Sequence, residues 1–470
     1  MNASQVPPTP VADPSARPQR GDEVELEIDT LAFGGAGVAR REGYVIFVSG
    51  AVPGDRVRAT ITKRKRSHAE ARTLEVLSPG PDRIAPLADH PGVPWQVLSY
   101  ERQLEIKQGQ VLEALSRIGH LEGFESEPII PAVQTWRYRN KLEYSFGTDA
   151  AGGLVLGFHE PGRWDRVVGV QDCLLASELG NQARDTVLAW ARGTGLRARD
   201  PRSHTGELRN VVVREGRRTG QLQVRLVTEP LELDLQPLTD ALEAHSLLWT
   251  QTSDIAETTS GGATQVVSGD PQLEEHIGDL VLRLSPGAFL QTNTEMAERL
   301  YEVVAAMAGL EGYERVYDLY CGIGTIGLSL AARAGELWGL EVVESAIADA
   351  IANASLNEVT NARFFAGDVR TALRELVELA GRPDLVVLDP PRSGLSAKVV
   401  RRVIEAAPKR IVYVSCNPTT LAPNAAQLVE AGWHLSRVQT VDMFPQTPHI
   451  ECVALLERRT STATPTPTPT

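Results

Sequence analysis

A cysteine near the end of the sequence has the surroundings of a nucleophile. Cys416 follows the apolar run Val412–Ser415 and stands directly before an Asn-Pro pair. The run predicts a buried strand, and reacting groups gather at the carboxyl ends of strands in an open parallel sheet. Glu451 lies about 35 residues further on and offers a carboxylate base. A thiol and a carboxylate in this arrangement indicate covalent catalysis on an electrophilic ring.

A glycine-rich loop earlier in the sequence predicts a nucleotide site. Gly322 and Gly324, with a third glycine three residues later, follow the spacing G-x-G-x-x-G between a predicted strand and a predicted helix. Such a loop lets the backbone approach a ligand at the amino terminus of the helix. Glu341 follows at a spacing that suits a ribose-binding acid. The pattern fits NAD as well as S-adenosylmethionine.

Carboxylates at three strand ends favour the methyl donor over the dinucleotide. Asp318 ends the strand before the loop, where it would repel a pyrophosphate but attract a cationic methionine group. Asp368 follows another strand at a height suited to an adenine amino group, and Asp389 opens a rigid Asp-Pro-Pro turn. We therefore expect S-adenosylmethionine at this edge of the sheet.

The elements that must position these residues alternate between helix and strand from residue 286 onwards. We predict helices at 294–308, 325–334 and 345–357, and strands at 315–319, 337–341, 363–365, 384–388, 410–414 and 452–456. Repeated units of this length predict a doubly wound, Rossmann-like sheet, so the fold class is α/β.

Two further domains are predicted upstream. Residues 20–80 contain short alternating strands between Gly and Pro-Gly-Asp turns, which predicts a small β-barrel of the oligonucleotide-binding type. Residues 99–121 read as an amphipathic helix. An α+β middle domain is indicated by strand candidates at 154–158, 210–213 and 222–227 and helix candidates at 176–192 and 235–245. The ends, 1–19 and 460–470, predict disorder.

Composition limits the class of protein. The 470 residues carry a net charge of −13 and four cysteines, and no apolar run is long enough for a membrane span. We expect a cytoplasmic protein with no disulfide framework and no general positive coat for nucleic acid. Two basic patches are candidate RNA contacts, Lys63–Arg66 and Trp136–Lys141. A strand through the second patch would place Arg137, Arg139 and Lys141 on one face.

A series of motifs in this order resembles the family of S-adenosylmethionine-dependent RNA uracil-5 methyltransferases, which make 5-methyluridine in tRNA and large-subunit ribosomal RNA. The motifs are a TRAM-type barrel, Trp95–Tyr100, Ser285–Asn293, Asp-Leu-Tyr-Cys-Gly-Ile-Gly, Asp-Pro-Pro-Arg, Ser-Cys-Asn-Pro and His-Ile-Glu. The resemblance covers nearly the whole chain. It implies a barrel at 20–80, a middle RNA-binding domain at 81–98 and 125–285, and a class I methyltransferase domain at 99–124 and 286–459.

The resemblance also implies a role for each site residue. Cys416 would be the nucleophile and Glu451 the base, acting on a uracil ring. Phe289 would stack on a flipped-out base, and Arg392 would position the uracil or its phosphate. The residues that would hold or border S-adenosylmethionine are Gln291, Tyr320, Glu341, Asp368 and Asp389, beside Asp318, Gly322 and Gly324.

The sequence leaves alternatives open for the target RNA and for the activity. We expect 23S rRNA as the target, with tRNA as the alternative, and no protein partner is implied. A cytosine-5 methyltransferase is disfavoured because no Pro-Cys pair occurs, and an amino-group methyltransferase because Arg392 follows Asp-Pro-Pro where an aromatic residue would stand. A non-catalytic RNA-binding or RNA-folding protein is disfavoured by the presence of Cys416, Glu451 and Asp389. An NAD-dependent oxidoreductase is the weakest alternative.

One expectation departs from the family. Many relatives carry an iron–sulfur cluster before the Trp-Gln pair, held by three closely spaced cysteines and a fourth further on. Residues 84–94 contain no cysteine here, and only Cys173 matches the fourth position. A cluster needs about four thiolates, and His90 with one cysteine does not make a metal site. We therefore expect no iron–sulfur cluster and no other metal.

Overall fold

The computed structural model describes residues 17–255, 259 and 261–458, and they divide into two compact units. The first unit takes the described residues up to Asp89, with Val93–Gln110 and Pro445–His449. The second takes His90–Gly92, Val111–Phe444 and the described residues from Ile450 onwards. The segments predicted to be disordered, 1–19 and 460–470, lie outside the described residues apart from 17–19.

The first unit is built on a six-stranded sheet in the order β1-β5-β6-β4-β3-β2. The strands are β1 (Glu23–Glu27), β2 (Thr30–Leu31), β3 (Gly37–Arg41), β4 (Tyr44–Ser49), β5 (Arg56–Arg64) and β6 (His68–Ser78). Alternate residues along β1 and β5, such as Leu26, Val57 and Ile61, are buried in one apolar core, which explains the alternation in the sequence. Helix α1 (Tyr100–Glu113) follows, and a π-helical turn, Ala114–Ile118, extends it.

The buried carboxylate of Asp55 links the loop before β5 to the loop after β6. Asp55 follows the Pro-Gly turn and accepts hydrogen bonds from the backbone N–H groups of Val52 and Gly80, at 2.8 and 2.9 Å. The guanidinium of Arg83 donates to the same carboxylate at 2.7 Å. Burial opposes ionisation of Asp55, but these hydrogen bonds outweigh it and lower its pKa.

The second unit contains β7 (Glu125–Ile130) and then a seven-stranded middle sheet in the order β10-β9-β8-β11-β12-β13-β14. Its strands are β8 (Lys141–Thr148), β9 (Leu154–Glu160), β10 (Arg163–Gly169), β11 (Leu208–Glu215), β12 (Leu222–Thr228), β13 (Ser246–Gln251) and β14 (Ala263–Gly269). Helices α2 (Glu178–Thr194) and α3 (Gln236–Ala241) accompany it, and the hairpin β15 (Leu273–Ile277) and β16 (Leu280–Leu284) follows.

The last part of the chain forms an eight-stranded sheet in the order β19-β18-β17-β20-β21-β23-β22-β7. Its remaining strands are β17 (Arg315–Leu319), β18 (Glu336–Glu341), β19 (Ala362–Ala366), β20 (Leu385–Leu388), β21 (Arg410–Ser415), β22 (Trp433–Val441) and β23 (Glu451–Arg458). The helices between them are α4 (Thr294–Ala308), α5 (Thr325–Ala331), α6 (Glu344–Leu356), α7 (Val369–Ala380), α8 (Ala397–Ala406) and α9 (Pro418–Glu430). The predicted alternation of helix and strand is thus present from α4 to β22, but β22 was not predicted and no helix separates it from β23.

The pairing directions within this sheet decide where its side chains meet. Strands β17 to β21 pair in parallel, so their carboxyl ends share one edge. Strand β23 pairs antiparallel with β21, so the first residue of β23 lies at that same edge. Among the described helices, none has the length and apolar character required to cross a membrane.

Candidate active site

Cys416 and Glu451 come together through the antiparallel pairing of two strands. Ser415, the last residue of β21, is the pairing partner of Cys452, the second residue of β23. Cys416 follows Ser415, and Glu451 precedes Cys452. In an antiparallel pair these are the next two facing positions, so both side chains lie at the carboxyl end of β21. Cys416 is half-buried, whereas only 3% of Glu451 is exposed.

Asp389 joins them from the adjacent strand. It follows β20, which pairs in parallel with β21, and its backbone N–H donates to the carbonyl of Leu319 at 3.4 Å. Two carboxylates and a thiol therefore lie at the ends of three neighbouring strands. The sequence motifs that carry them are separated by up to about 60 residues, and the sheet brings them to one place.

Burial and neighbouring carboxylates raise the pKa values of all three groups. Burial raises the pKa of Glu451 well above its ordinary value, and the charge of Asp389 adds to this effect. Burial, followed by the charge of Asp318, raises the pKa of Asp389 to about 7. Burial and the charges of Glu451 and Asp389 raise the pKa of the Cys416 thiol to about 11. The site therefore favours protonated groups.

Arg392 is the cation that acts against this trend. Its positive charge lowers the pKa of Cys416, although less than burial and the carboxylates raise it. The residue is exposed, and its carbonyl accepts a hydrogen bond of 2.9 Å from the side chain of Asn417, directly after the cysteine. The family resemblance implied a role for Arg392 at the substrate, but the sequence did not indicate which cation favours the Cys416 thiolate.

The glycine loop is fixed by a carboxylate from the strand before it. Asp318 is fully buried, and its Oδ2 atom accepts the backbone N–H of Gly327 at 2.8 Å. Gly324 has a φ of +84° at the start of α5, and Tyr320 also adopts a left-handed backbone, with a φ of +67°. A residue other than glycine holds that conformation only when the surrounding structure enforces it.

A pocket between this loop and the start of α4 collects the predicted cofactor residues. Its lining includes Gln291, Tyr320, Asp318, Gly322 and Asp389, together with Phe289. Gln291 is almost fully buried, whereas 66% of Phe289 is exposed. The Oδ1 atom of Asp318 is buried and has no hydrogen-bond partner within the described part of the chain. An acceptor without a donor fits a ligand that carries a cationic amino group.

The two remaining predicted cofactor acids have other partners. The carboxylate of Glu341 accepts backbone N–H groups from Val342 and Val343, at 2.7 and 3.0 Å, and from Gly322 at 3.4 Å. Asp368 accepts the backbone N–H of Arg370 at the start of α7 and forms an ion pair with the Arg370 guanidinium, which lowers its pKa. Neither acid lines the pocket described above.

The structure adds one residue that the motifs did not indicate. Tyr301 lines the same pocket, and its hydroxyl lies 3.0 Å from the hydroxyl of Thr325. Burial raises the pKa of Tyr301, and the charges of Asp389, Asp318 and Glu451 add to this. Its position in the apolar stripe of α4 made it look like a core residue, so no sequence signal marked it.

The segment that carries Phe289 and Gln291 is held by Asn140, directly before β8, and by Arg214 of β11. The side-chain amide of Asn140 donates to the carbonyl of Gln291 and to the hydroxyl of Thr294, each at 2.9 Å. The buried guanidinium of Arg214 donates to the carbonyl of Ala288 at 2.7 Å. Burial lowers the pKa of Arg214 to about 10. Neither residue was predicted to belong to the site.

The strand predicted through Trp136–Lys141 is wrong. Strand β8 begins only at Lys141, and Arg137 has a left-handed backbone with a φ of +53°. The backbone N–H groups of Arg137 and Arg139 donate to the carbonyls of Leu174 and Leu175, so this backbone pairs with a loop instead of a strand. The side chains therefore do not share a strand face. Arg137 forms an ion pair of 2.8 Å with Asp172, and Arg139 lies over the ring of Phe444.

Cys173, the cysteine that matches the fourth cluster position in relatives, forms a buried pair with His90. The Sγ atom of Cys173 lies 3.3 Å from Nε2 of His90, and both residues are buried. Burial lowers the pKa of His90 to about 4. No group of three metal-ligating side chains occurs within the described ranges. A single thiolate beside a histidine does not fit an iron–sulfur cluster.

The chain matches known proteins over most of its length. Residues 270–459 match the family model described as tRNA (Uracil-5-)-methyltransferase, and residues 17–74 match the TRAM domain. A protein of Chlorobaculum tepidum and one of Halalkalibacterium halodurans, both named as RNA methyltransferases, are 38% and 37% identical to it. These alignments cover 96% and 93% of this chain and 99% and 97% of the two relatives.

A solved structure shows the same architecture. The tRNA (uracil-54, C5)-methyltransferase of Pyrococcus abyssi, crystallised in complex with S-adenosyl-L-homocysteine, superimposes with a TM-score of 0.75. The two sequences are 28% identical, and the match covers 92% of this chain and 100% of the other. The match confirms the predicted fold class, and the six-stranded sheet of the first unit corresponds to the TRAM domain.

Proposed function

Because this chain belongs to the family of S-adenosylmethionine-dependent RNA uracil-5 methyltransferases, we propose that it methylates carbon 5 of a uridine through a covalent adduct on Cys416. The observation that carries the proposal is the meeting of Cys416, Glu451 and Asp389 at the ends of three neighbouring strands. A thiol beside a buried carboxylate is the pair that addition to the ring and removal of its proton require.

The thiol acts first in the proposed mechanism. Carbon 5 of uracil is a weak nucleophile, so electrons must enter the ring before a methyl group can be accepted. The Cys416 thiol loses its proton to solvent, and the thiolate Sγ forms a bond to carbon 6, which leaves an enolate across carbon 5 and the carbonyl at carbon 4. Arg392 favours the thiolate over the thiol.

The carboxylate acts last. S-adenosylmethionine, when bound, supplies an electrophilic methyl group to carbon 5 and leaves as S-adenosylhomocysteine. Carbon 5 then carries both the methyl group and its original proton. Glu451 enters this step as the carboxylate and accepts that proton, which its raised pKa favours. The bond between Sγ and carbon 6 then breaks, and the aromatic pyrimidine and the Cys416 thiolate are restored.

The same residues suggest how the cofactor and the base are held. We assign the methionine part of S-adenosylmethionine to the pocket around Asp318, Gln291 and Asp389, because the buried Oδ1 atom of Asp318 accepts from no donor among the described residues. Tyr320, Gly322 and Gly324 shape the loop, and Glu341 and Asp368 serve the ribose and the adenine. Phe289, which is mostly exposed at the mouth of the pocket, stacks on the extruded uracil, and Arg392 faces its phosphate or its carbonyl.

We propose 23S rRNA as the target, on the analogy of relatives with an amino-terminal barrel, and tRNA as the second candidate. The tRNA candidate is supported by the name of the solved structure, which covers nearly the whole chain. Arg137 and Arg139 remain proposed RNA contacts. Four free cysteines support an assignment of this reaction to the reducing cytoplasm.

The test uses the full chain and two variants. Cys416→Ala should abolish methylation of RNA and leave the affinity for S-adenosylmethionine within about twofold, because the thiol acts on the base and not on the donor. Glu451→Gln should accumulate a denaturation-resistant adduct of methylated RNA and protein, because addition and methyl transfer precede removal of the proton. Full activity of Cys416→Ala would overturn the covalent mechanism.

The target is tested separately. Positions of 5-methyluridine are mapped in the 23S rRNA and the tRNA of a strain that lacks the gene and of the same strain with the gene restored. Loss of one rRNA site supports the first candidate, and loss of a tRNA site supports the second. An unchanged pattern in both RNAs would contradict the proposed function.

A further inference from the structure

An open groove lies on the middle sheet, at residues outside the site described above. Its volume is about 640 Å³, and it is lined by Trp164, Pro201, Arg202, His204 and Ile255. These residues come from three separate segments, namely the start of β10, the turn before β11 and the loop after β13. The lining holds apolar surface and cationic or neutral polar groups, and none of the described lining residues is an acid.

The exposed tryptophan is the main feature of the groove. Trp164 is 63% exposed and Ile255 is 77% exposed, although burial of either side chain would be favourable. Trp164 lies in the edge strand of the sheet, where the pairing with β9 shifts between Arg163 and Val167. Such irregularities in a strand re-aim side chains. Trp164, Pro201 and Ile255 line one groove, and exposed apolar side chains that are grouped in this way are typical of a binding site.

The opposite wall of the groove is fixed before any ligand arrives. The Asp200 carboxylate accepts the backbone N–H groups of Arg202 and Ser203, at 2.7 and 3.3 Å. The backbone N–H of His204 donates to the carbonyl of Asp200 at 2.8 Å. These bonds hold the turn that presents Arg202 and His204. A wall that is already ordered loses little entropy when it binds.

The histidine ring of the groove has an arginine partner on one side. The Arg199 guanidinium lies 3.0 Å from Nδ1 of His204. This contact holds the ring in place at the groove, where it adds a flat, polar surface beside Arg202.

The charges around the groove are arranged with the cations outermost. Arg202 and Arg163 both pair with Asp165, and the arginine side chains are 68% and 45% exposed against 10% for the aspartate. Arg166 and Glu160 show the same order, at 60% and 23%. The less exposed acids pair with guanidinium nitrogens of these arginines, so three guanidinium groups share two acids. An approaching molecule therefore meets a net positive charge beside an aromatic surface.

We propose that this groove binds an unpaired nucleobase of the RNA substrate, separate from the uridine that is methylated. The base stacks on Trp164 with Ile255 and Pro201 beside it, and the phosphates on either side meet Arg202 and Arg163. Aromatic stacking combined with a cationic border is how proteins hold single-stranded nucleic acid. The proposal rests on the RNA substrate of the proposed function, and a protein partner would have less need of three exposed guanidinium groups.

The first test measures RNA binding by the full chain. The probes are unmodified transcripts of 23S rRNA and of tRNA and a short single-stranded oligouridylate, at several salt concentrations. Trp164→Ala should raise the Kd for RNA about tenfold, whereas Trp164→Phe should stay close to the wild type because it retains a ring. Tyr313→Ala is the matched control, because Tyr313 is an equally exposed aromatic residue on another part of the chain, at 65%. It should bind RNA as the wild type does.

The second test separates stacking from phosphate contact. Arg202→Met should lower the slope of log Kd against log salt by about one, which is the signature of one lost phosphate contact. The control is Arg117→Met, at an arginine that is 78% exposed and belongs to a different segment. An unchanged slope for Arg202→Met would argue against the assigned phosphate contact.

The outcomes distinguish this inference from the proposed function. At saturating RNA, Trp164→Ala should keep the wild-type kcat and the wild-type KM for S-adenosylmethionine, with only the KM for RNA raised. If the wild type methylates RNA and Trp164→Ala binds all probes normally, the inference is overturned, and the groove would then be assigned to a protein partner. If no RNA is methylated but Trp164→Ala still weakens binding, the groove stands and the proposed function fails.

Discussion

The carboxamide of Asn140 donates a 2.9 Å hydrogen bond to the backbone carbonyl of Gln291, a residue that lines the proposed cofactor pocket. A second bond joins the same amide to Thr294, whose hydroxyl also lies 2.8 Å from the buried carboxylate of Glu275. Asn140 belongs to the middle sheet region, and Gln291 to the segment that carries Phe289. The position of the pocket wall is therefore set by a residue outside the doubly wound sheet.

Asn140→Ala should weaken binding of S-adenosylmethionine more than it weakens the fold. The change leaves the buried carbonyl of Gln291 without a donor, which costs about 1–3 kcal/mol. We expect the Kd for S-adenosylmethionine, measured by calorimetry, to rise by about tenfold.

The matched control is Asn361→Ala. The amide of Asn361 also donates to two carbonyls, those of Ala331 and Ala334. Asn361 lies directly before β19, at the amino end of that strand, whereas the site lies at the carboxyl ends of the parallel strands. It should lower stability by a similar amount and leave the affinity for S-adenosylmethionine unchanged. Equal loss of affinity in both variants would show a general effect on folding.

The reactivity of Cys416 should increase with pH. Its pKa is raised to about 11, so the thiolate is a small fraction at neutral pH and increases as protons are removed. The rate of alkylation of Cys416 by iodoacetamide, followed by mass spectrometry of the free enzyme, should rise about tenfold for each pH unit up to roughly pH 10. A rate that is flat across this range would mean that the thiol is already ionised.

Arg392→Met should make the same alkylation slower. The guanidinium is the cation that lowers the pKa of Cys416, so its removal should raise that pKa and slow the reaction about threefold at a fixed pH, as expected for an exposed charge. Arg401→Met provides the control, because Arg401 is also exposed and lies on α8. A faster reaction in Arg392→Met would point to a steric effect of the side chain.

Asp55→Asn should destabilise the six-stranded sheet of the first unit. The change removes the charge that accepts from Arg83, Val52 and Gly80, and loss of a buried ion-pair partner costs about 3 kcal/mol. Hydrogen exchange of β1–β6 in the full chain should accelerate. Glu25→Gln, which removes an exposed ion pair with Arg56, should change stability by less than about 1 kcal/mol.

The same aspartate predicts an effect of acid. The pKa of Asp55 is lower in the folded chain than in the unfolded chain, so its contribution to stability is present above its ordinary pKa and is lost as the pH falls through the folded value. The difference in stability between the wild type and Asp55→Asn should therefore shrink at strongly acidic pH. A constant difference would show that Asp55 acts through packing alone.

The parts of the fold that follow local periodicity could be predicted from the sequence. Helix α4 has the predicted bounds, Thr294–Ala308, because Asn293 caps its start and Gly309 ends it in a left-handed conformation. Strands β17 and β21 were predicted because each is a short apolar run between turns. Their carboxyl ends then gave the expected location of Asp318 and Cys416.

The parts that depend on distant partners could not be predicted. Strand β7 is polar and contains Pro128, and it is a strand because it pairs with β22 at the edge of the eight-stranded sheet. The segment before Lys141 alternates as a strand does, but its backbone hydrogen bonds go to a loop more than 30 residues away. Asn140 and Tyr301 were missed for the same reason, since their partners are remote in the sequence.

The place of β23 in the sheet has a consequence for how the protein is made. β23 is the last described strand in the chain, yet it pairs between β21 and β22, both of which leave the ribosome before it. Val453 and Leu455 of β23 belong to the same apolar core as Leu290, Tyr301 and Ile326 of the proposed cofactor pocket. The completion of that core and the meeting of Cys416 with Glu451 must therefore both wait for this final insertion. A chain interrupted after β22 would lack part of the core beneath the pocket as well as the proposed base. Synthesis itself keeps the reactive pair incomplete until the sheet is complete.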